Sequence, residues 1–343
     1  MIAYVASAGT REVIGFALGR EDGYLSRCFA VGVPGAGESP TSLPLALSPD
    51  RRRLYAAVRR PPFALASFAI DPASGALSPL ATAPLPDAMA YVATDRTGRW
   101  LLAASYVGAR LSVSAIDADG AVRGAARQVI ETPPKAHCIL AEPGNRWVLA
   151  TSLGGDVVLV FRLDAAAGRL RAHAAGTLRL PPGAGPRHLA FHPEAPLVVL
   201  LDELGGQVRL LAFDAGLGRL EERHAVPLLA RGAPDPHSAA EVRITPDGRF
   251  LYASERVTGR IAGFAIDAEG ARLTPLGSWP TEPSPRAFAI SPCGRWLLAA
   301  GQESGRVASY AIDRATGALA ERAVERAGAN PSWIEIIELS PES

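Results

Sequence analysis

His137, Arg187 and Arg286 stand at one recurring position of this sequence. Arg59, Tyr106, Glu203, Arg256 and Gln302 stand at a second, sixteen residues further along each repeat. These residue types belong to acid–base and anion chemistry. A guanidinium fork grips a carboxylate or phosphate through two parallel hydrogen bonds. A histidine and a glutamate in one place supply groups that take up and release protons near neutral pH. Four arginines against one glutamate predict a pocket for a small anion, with His137 or Glu203 moving the proton. The plainer expectation is that Arg187, Arg256 and Arg286 form ion pairs with Glu203 and Glu255 and hold neighbouring units together. No metal centre is expected, because only His137 and Glu203 are of ligand type here and stable sites use three or more ligands.

A repeated turn positions these residues. It reads Ser48-Pro49-Asp50, Asp95-Arg96-Thr97-Gly98, Glu142-Pro143-Gly144-Asn145, His192-Pro193-Glu194, Thr245-Pro246-Asp247-Gly248 and Ser291-Pro292-Cys293-Gly294. With Pro49, Arg96, Pro143, Pro193, Pro246 and Pro292 as anchors, the spacings are 47, 47, 50, 53 and 46. A period in that range marks a repeat architecture. Six residues before each anchor the chain carries Leu43, Ala90, His137, Arg187, Ala240 and Arg286. Ten residues after, it carries Arg59, Tyr106, Leu153, Glu203, Arg256 and Gln302, with Ser332 and Ala8 as the equivalents in a last unit.

Between the turns lie short runs rich in Val, Leu, Ile and Ala, bounded by Gly, Pro and Asp, which read as β-strands. Residues 43–47, 54–58, 65–70 and 77–83 make one four-stranded unit, and the pattern recurs at 148–152, 157–163 and 170–177. No stretch shows helical periodicity. Four-stranded units repeated radially predict an all-β, seven-bladed β-propeller with four antiparallel strands per blade, a single domain over residues 1–343. Strands at 333–338, 4–7 and 13–18 would pair the two chain ends in the closing blade, leaving no open sheet edge. The first strand of a blade lines the central channel and the second runs back beside it. Both recurring positions therefore converge on one rim. Elsewhere, His192 in its turn is expected to be structural, and His173 and His224 to lie on outer strands. His237, in the loop 233–238, could reach the rim. Glu241 would point away from the channel unless the register shifts by one.

Composition excludes several classes. With 48% hydrophobic and 20% charged residues and a net charge of +1, nothing predicts nucleic acid or an anionic membrane as partner. The basic residues are nearly all Arg, Lys135 being the lone Lys. The N-terminus lacks the basic start and long apolar run of a signal peptide, and no segment has the length of a spanning helix. Cys28, Cys138 and Cys293 are odd in number and widely spaced, which favours a reducing compartment. A cytoplasmic protein, monomeric or weakly self-associating, is the expectation.

The motifs Gly185-Pro186-Arg187-His188, Phe191-His192-Pro193, Asp202-Glu203-Leu204, the run 244–253, Pro285-Arg286-Ala287-Phe288 and Ala300-Gly301-Gln302 resemble the propeller-type bacterial 6-phosphogluconolactonases. The resemblance runs from Tyr4 to Trp333. It implies a propeller that needs no organic cofactor and hydrolyses a lactone. The fungal carboxy-cis,cis-muconate cyclase shares this superfamily, and its site of one His, two Arg and one Glu falls on His137, Arg187, Glu203 and Arg286. Those four are the catalytic candidates that the resemblance implies; Arg59, Tyr106, His188, Arg256 and Gln302 are the substrate-binding ones. The chain departs from the phosphogluconolactonase pattern at His137-Cys138, at Asp202-Glu203, at Ser254-Glu255-Arg256 and in the loop Arg59-Arg60-Pro61-Pro62.

The expected reaction is hydrolysis of a small anionic sugar-acid lactone. His137 or Glu203 activates water, while Arg187 and Arg286 hold the anion and the developing oxyanion. The absence of a G-x-S-x-G serine favours direct attack by water. Lactonising cyclisation of a muconate-type diacid is the alternative enzyme reading. A non-catalytic propeller that binds a partner across its face is the alternative outside enzymology.

Overall fold

Seven sheets account for the repetition in the computed structural model, which describes residues 1–35, 41–230 and 236–339. Each blade is antiparallel and follows chain order. The fourth, for example, runs Pro186–Phe191, Leu197–Asp202, Gln207–Asp214 and Arg219–Pro227. The closing blade is the exception in order: Pro331–Ile337 pairs with Ile2–Ser7, followed by Glu12–Leu18 and Leu25–Gly32. Innermost strands pack on one another in cyclic order, the strand at Pro331–Ile337 meeting the one at Leu45–Leu47. The ring closes as the two chain ends predicted.

Chemistry at the recurring turn explains why it recurs. The residue before each anchor offers a side-chain acceptor to the amides that end the turn. Trp100 N donates to Asp95 Oδ1 at 3.0 Å, Arg146 N to Glu142 Oε1 at 2.8 Å, Ala195 N to His192 Nδ1 at 2.9 Å and Phe250 N to Thr245 Oγ1 at 3.0 Å. Two residues past the anchor the backbone is left-handed at Arg51, Gly98, Asn145, Gly248 and Gly294, so Gly and Asn dominate there. Neighbouring blades are latched by second-strand aromatics. Tyr4, Tyr55 and Tyr252 donate their hydroxyls to Gly75, Gly120 and Gly317 carbonyls, each at 2.8 Å. Trp100, Trp147 and Trp296 do the same through Nε1 to Ala165, Ala215 and Arg20. Tyr4, Phe16, Phe68, Tyr252, Phe264 and Phe288 are fully buried between sheet faces, where apolar burial drives the packing.

One strand differs from expectation. The outer edge predicted over 170–177 divides into Arg169–Ala172, a 3-10 turn at Ala174–Gly176 and a short strand Leu178–Arg179. His173 turns inward there, its ring 4.8 Å from that of Trp147, and its Nε2 donates to Leu217 O at 3.0 Å. Gly176 then passes so close to the Gly218 carbonyl that a Cβ would overlap it.

Candidate active site

The inner strands do not pair straight through. Pro186 faces Asp202 and His188 faces Leu201, so Arg187 is an extra residue on its strand. Arg286, Ala90 and Ser332 are extra in the same way. In the third and fifth blades the irregularity is wider, between Ala136 and Ile139 and between Ala239 and Val242. The position six residues before the anchor is thus a β-bulge, the device that re-aims side chains strict alternation would send to the other face. Hydroxyls on the second strand satisfy the displaced amides: Cys138 N donates to Thr151 Oγ1 and Glu241 N to Ser254 Oγ, both at 3.0 Å. Thr151 Oγ1 in turn donates to Arg187 O at 2.7 Å, tying the His137 bulge to the Arg187 bulge.

Ten residues past the anchor, the backbone is pinned just beyond the second strand. Leu153, Glu203, Arg256 and Gln302 donate their amides to the carbonyls of Lys135, Gly185, Ser238 and Ser284, all between 2.8 and 3.1 Å. Their side chains therefore start at the rim that the bulges face.

Glu203 lies between two cations. Arg187 Nε is 2.8 Å from its Oε2, and Arg256 Nη2 donates to its Oε1 at 2.7 Å. The Arg187 contact is an ion pair in distance only, since the Nε–H is not aimed at the carboxylate and has no hydrogen-bond acceptor among the described residues. Arg187 Nη1 instead donates to the Ala240 carbonyl and to His188 Nε2, the latter at 3.1 Å. Arg59 Nη1 donates to Ser42 Oγ at 2.8 Å, while its Nε has no partner among the described residues. No carboxylate pairs with Arg59 or Arg286 among the described residues. The ion-pair expectation therefore holds for Arg187 and Arg256 and fails for Arg286. Glu255 is occupied elsewhere, accepting from the amides of Ser238, Val257 and Thr258.

The surplus of positive charge registers at Arg286, Arg187, His137 and Glu203. Burial, and then Arg187, Arg256 and Arg59, hold the Arg286 guanidinium well below its ordinary value, with Glu203 offsetting only part. Burial brings Arg187 down to about 10 despite Glu203. His137, 4% exposed, is held well below the usual imidazole range by burial, Arg187, His188, Arg286 and Arg59, so it is neutral. Its Nδ1 has no hydrogen-bond partner among the described residues. Burial raises the Glu203 carboxyl, but Arg187 and Arg256 outweigh it and the group stays ionised, below its ordinary value.

Of the residues singled out in the sequence, His137, Arg59, Arg187, Glu203, Arg256 and Arg286 share one electrostatic cluster. Tyr106 sits edge-on to His137 with ring centroids 5.8 Å apart, and Lys135 Nζ stands 5.7 Å over the Tyr106 ring. Gln302 turns to the seventh blade, donating to Asn330 Oδ1 at 2.7 Å. His188 is 2% exposed, with both ring nitrogens committed to protein, so it lies behind Arg187 rather than at the pocket surface. Asp202 faces away and pairs with Arg209 Nε at 2.7 Å. His192 links blades by donating from Nε2 to Gly248 O at 3.1 Å, and His224 Nδ1 accepts from Leu273 N at 3.0 Å. His237 packs against Gly206; residues 233–235 of its loop lie outside the described residues.

Glu241 belongs to the channel, 2% exposed, because the bulge supplies the one-residue shift that strict alternation lacks. Sequence reasoning passed over Tyr91, Arg243 and Glu335. The same ruler finds Arg243 and Glu335 three residues before the anchor, where other blades carry Ala46, Ala93, Ala190 and Ala289, and Tyr91 five before it, at the position that His188 and Glu241 hold in their blades. At the opposite, turn-bearing mouth, a cavity of about 330 Å³ is lined by Arg51, Tyr91, Arg96, Arg243, Trp333 and Glu335. None of the candidate catalytic residues lines it. No group of three or more His, Cys, Asp or Glu is placed to hold a metal ion among the described residues.

Residues 3–336 match the family described as lactonase, 7-bladed beta-propeller. The chain belongs to the seven-bladed β-propeller lactonases. The 6-phosphogluconolactonase of Pectobacterium carotovorum is 36% identical to this lactonase over 338 residues, 98% of this chain and 99% of the relative. That of Xenorhabdus nematophila is 34% identical over 342 residues, again 98% and 99%. Among solved structures, the periplasmic gluconolactonase of Pseudomonas aeruginosa superposes with a TM-score of 0.90 at 25% identity, covering 99% of each chain. The lactonase family sets the activity as opening of a cyclic ester, and the non-catalytic reading falls away.

Proposed function

We propose that this lactonase hydrolyses a small anionic sugar-acid lactone of the 6-phosphogluconolactone type, at the bulged mouth of the channel. The observation that carries the proposal is the unbalanced charge: Arg59 and Arg286 are half-buried without a carboxylate partner among the described residues, beside a neutral His137. A buried cation without a counter-ion is costly, and an anionic ligand relieves that cost. Relatives named 6-phosphogluconolactonase support the substrate class.

Water attacks the lactone carbonyl carbon while His137 takes its proton. His137 suits this role better than Glu203, whose two oxygens are each held by an arginine. The carbonyl oxygen becomes an oxyanion facing Arg286 and Arg187, the arrangement that stabilises charge as it develops. Collapse breaks the ring C–O bond, and the proton held on His137 passes to the departing alkoxide. The product is an open-chain hydroxy acid whose carboxylate forms among the same arginines.

The pH dependence follows from the sign of the His137 shift. Its pKa in the free enzyme is depressed, so the base stays unprotonated as pH falls through the ordinary histidine value of about 6.5. The acid limb of kcat/KM, which reports free-enzyme groups, is expected well below pH 6.5. A limb at or above that value would contradict the neutral, cation-flanked His137.

The activity itself is tested with a panel of sugar-acid lactones, phosphorylated and unphosphorylated, followed by a pH indicator against the spontaneous rate. Lys135, the lone lysine, stands one aromatic ring beyond His137 and is a further cation beside the site. Lys135→Ala is expected to raise KM for the phosphorylated lactone several-fold and to leave the unphosphorylated one unchanged. Equal effects on both would remove Lys135 from phosphate recognition.

A further inference from the structure

A ladder of side chains runs down the channel axis between the two mouths. Glu335 Oε1 lies 3.9 Å from Arg243 Nη2, and Arg243 Nε lies 3.4 Å from Glu241 Oε1. Glu241 Oε1 is 3.0 Å from His188 Nδ1, and His188 Nε2 is 3.1 Å from Arg187 Nη1. The mechanism above uses only the Arg187 end.

The middle of the ladder fixes a tautomer. Arginine donates and cannot accept, so the nitrogen facing Arg187 Nη1 must present a lone pair. His188 Nε2 is therefore bare, and the ring proton sits on Nδ1, donated to Glu241. The ring charge agrees: burial, Arg187 and Arg243 outweigh Glu241 and bring His188 down to about 4, so it is neutral. Burial would raise the Glu241 carboxyl, but Arg243 and then His188 bring it down to about 2, so it is a full anion. His188 and Glu241 are 2% exposed, and the ring is wedged between those of Tyr91, at 5.1 Å, and His137, also at 5.1 Å. The imidazole cannot turn to offer its other edge.

We propose that His188 and Glu241 are positioning residues for lactone hydrolysis: Glu241 holds His188 in the Nδ1–H form, and the bare Nε2 locks Arg187 with its Nη2 edge toward the substrate. Nη1 has two acceptors, His188 Nε2 and the Ala240 carbonyl, so both of its hydrogens are committed. The remaining amino group is the one free to meet an oxyanion. A guanidinium able to rotate would give up that alignment, and misplacement of such a donor is felt chiefly in kcat. The second carboxylate oxygen, Glu241 Oε2, has no hydrogen-bond partner among the described residues, so the His188 contact is the carboxylate's main side-chain anchor besides Arg243.

This inference rests on Arg187 acting on the substrate, and the test keeps the two apart. Long-range proton–nitrogen NMR on the nitrogen-15-labelled protein, with His188 assigned through His188→Gln, is expected to show a protonated Nδ1 and a pyridine-type Nε2. A protonated Nε2 overturns the proposal whatever the kinetics. In parallel, His188→Phe keeps a ring but removes the acceptor, and kcat is expected to fall on the order of 10-fold or more with KM changed by less than about 3-fold. His188→Gln can place its carbonyl oxygen where Nε2 was and should recover most of that loss, whereas a purely structural role would leave both variants equally impaired. If His188→Phe does not fold, Glu241→Gln replaces it: mixing of the two tautomers in its spectrum with a fall in kcat supports the lock, and an unchanged tautomer with unchanged kcat overturns it. Arg187→Ala is assayed alongside. Full turnover in that variant defeats the proposed function and leaves the tautomer result standing; lost turnover there with full kcat in His188→Phe defeats only the positioning role.

Discussion

Arg286→Ala is expected to lower kcat/KM by about 10²- to 10³-fold, the usual cost of removing one donor from an oxyanion site. The expectation comes from its surroundings more than from its charge. Arg286 is an extra residue on its strand, placed by a bulge, and it has no carboxylate partner among the described residues. Burial and three neighbouring arginines all disfavour its charged form. A side chain held against such a gradient weakens the free protein, so its removal should not lower the thermal midpoint. Loss of activity without loss of stability is the signature of a residue kept for function. A variant that unfolded earlier and kept its turnover would place Arg286 among the structural ion pairs.

His137→Gln is expected to lower kcat by about 10²- to 10⁴-fold with a smaller change in KM, as removal of a positioned base does. The alternative base, Glu203, is ionised but engaged by Arg187 at 2.8 Å and Arg256 at 2.7 Å. Glu203 then acts by holding the two guanidinium groups in place, and it limits the mutual repulsion of the cluster. If His137→Gln kept kcat within about a factor of two, the proton would have to go to Glu203 despite its two partners.

Much of this was legible from the residues. The spacing of Pro49, Arg96, Pro143, Pro193, Pro246 and Pro292 located the blades, because each turn needs an acceptor before the anchor and a left-handed residue after it. The two recurring positions found the rim, since His137, Arg187 and Arg286 repeat one backbone geometry and Glu203 and Arg256 another. What stayed hidden is what alternation of side chains cannot express. A bulge leaves no mark in composition, so His188 read as a substrate-binding residue and Glu241 as ambiguous, although both turn into the channel behind Arg187. The break near His173 was equally hidden, because a close approach of Gly176 to a neighbouring carbonyl is a tertiary event. Gln302 shows a third limit: the ruler put it at the rim, but Asn330, from another blade, determines where its amide points.

The two mouths of the channel allow a direct comparison. One carries the bulged arginines and His137; the other opens into a cavity of about 330 Å³ lined by Arg51, Arg96 and Arg243. The decisive measurement is kcat/KM on the best phosphorylated sugar lactone for Arg286→Ala against Arg51→Ala, each above the spontaneous rate. With catalysis at the bulged mouth, Arg286→Ala falls on the order of 10²-fold or more and Arg51→Ala stays within about a factor of two. Near-full activity in Arg286→Ala together with a collapse in Arg51→Ala would put the active site at the opposite mouth and contradict catalysis among the bulged arginines.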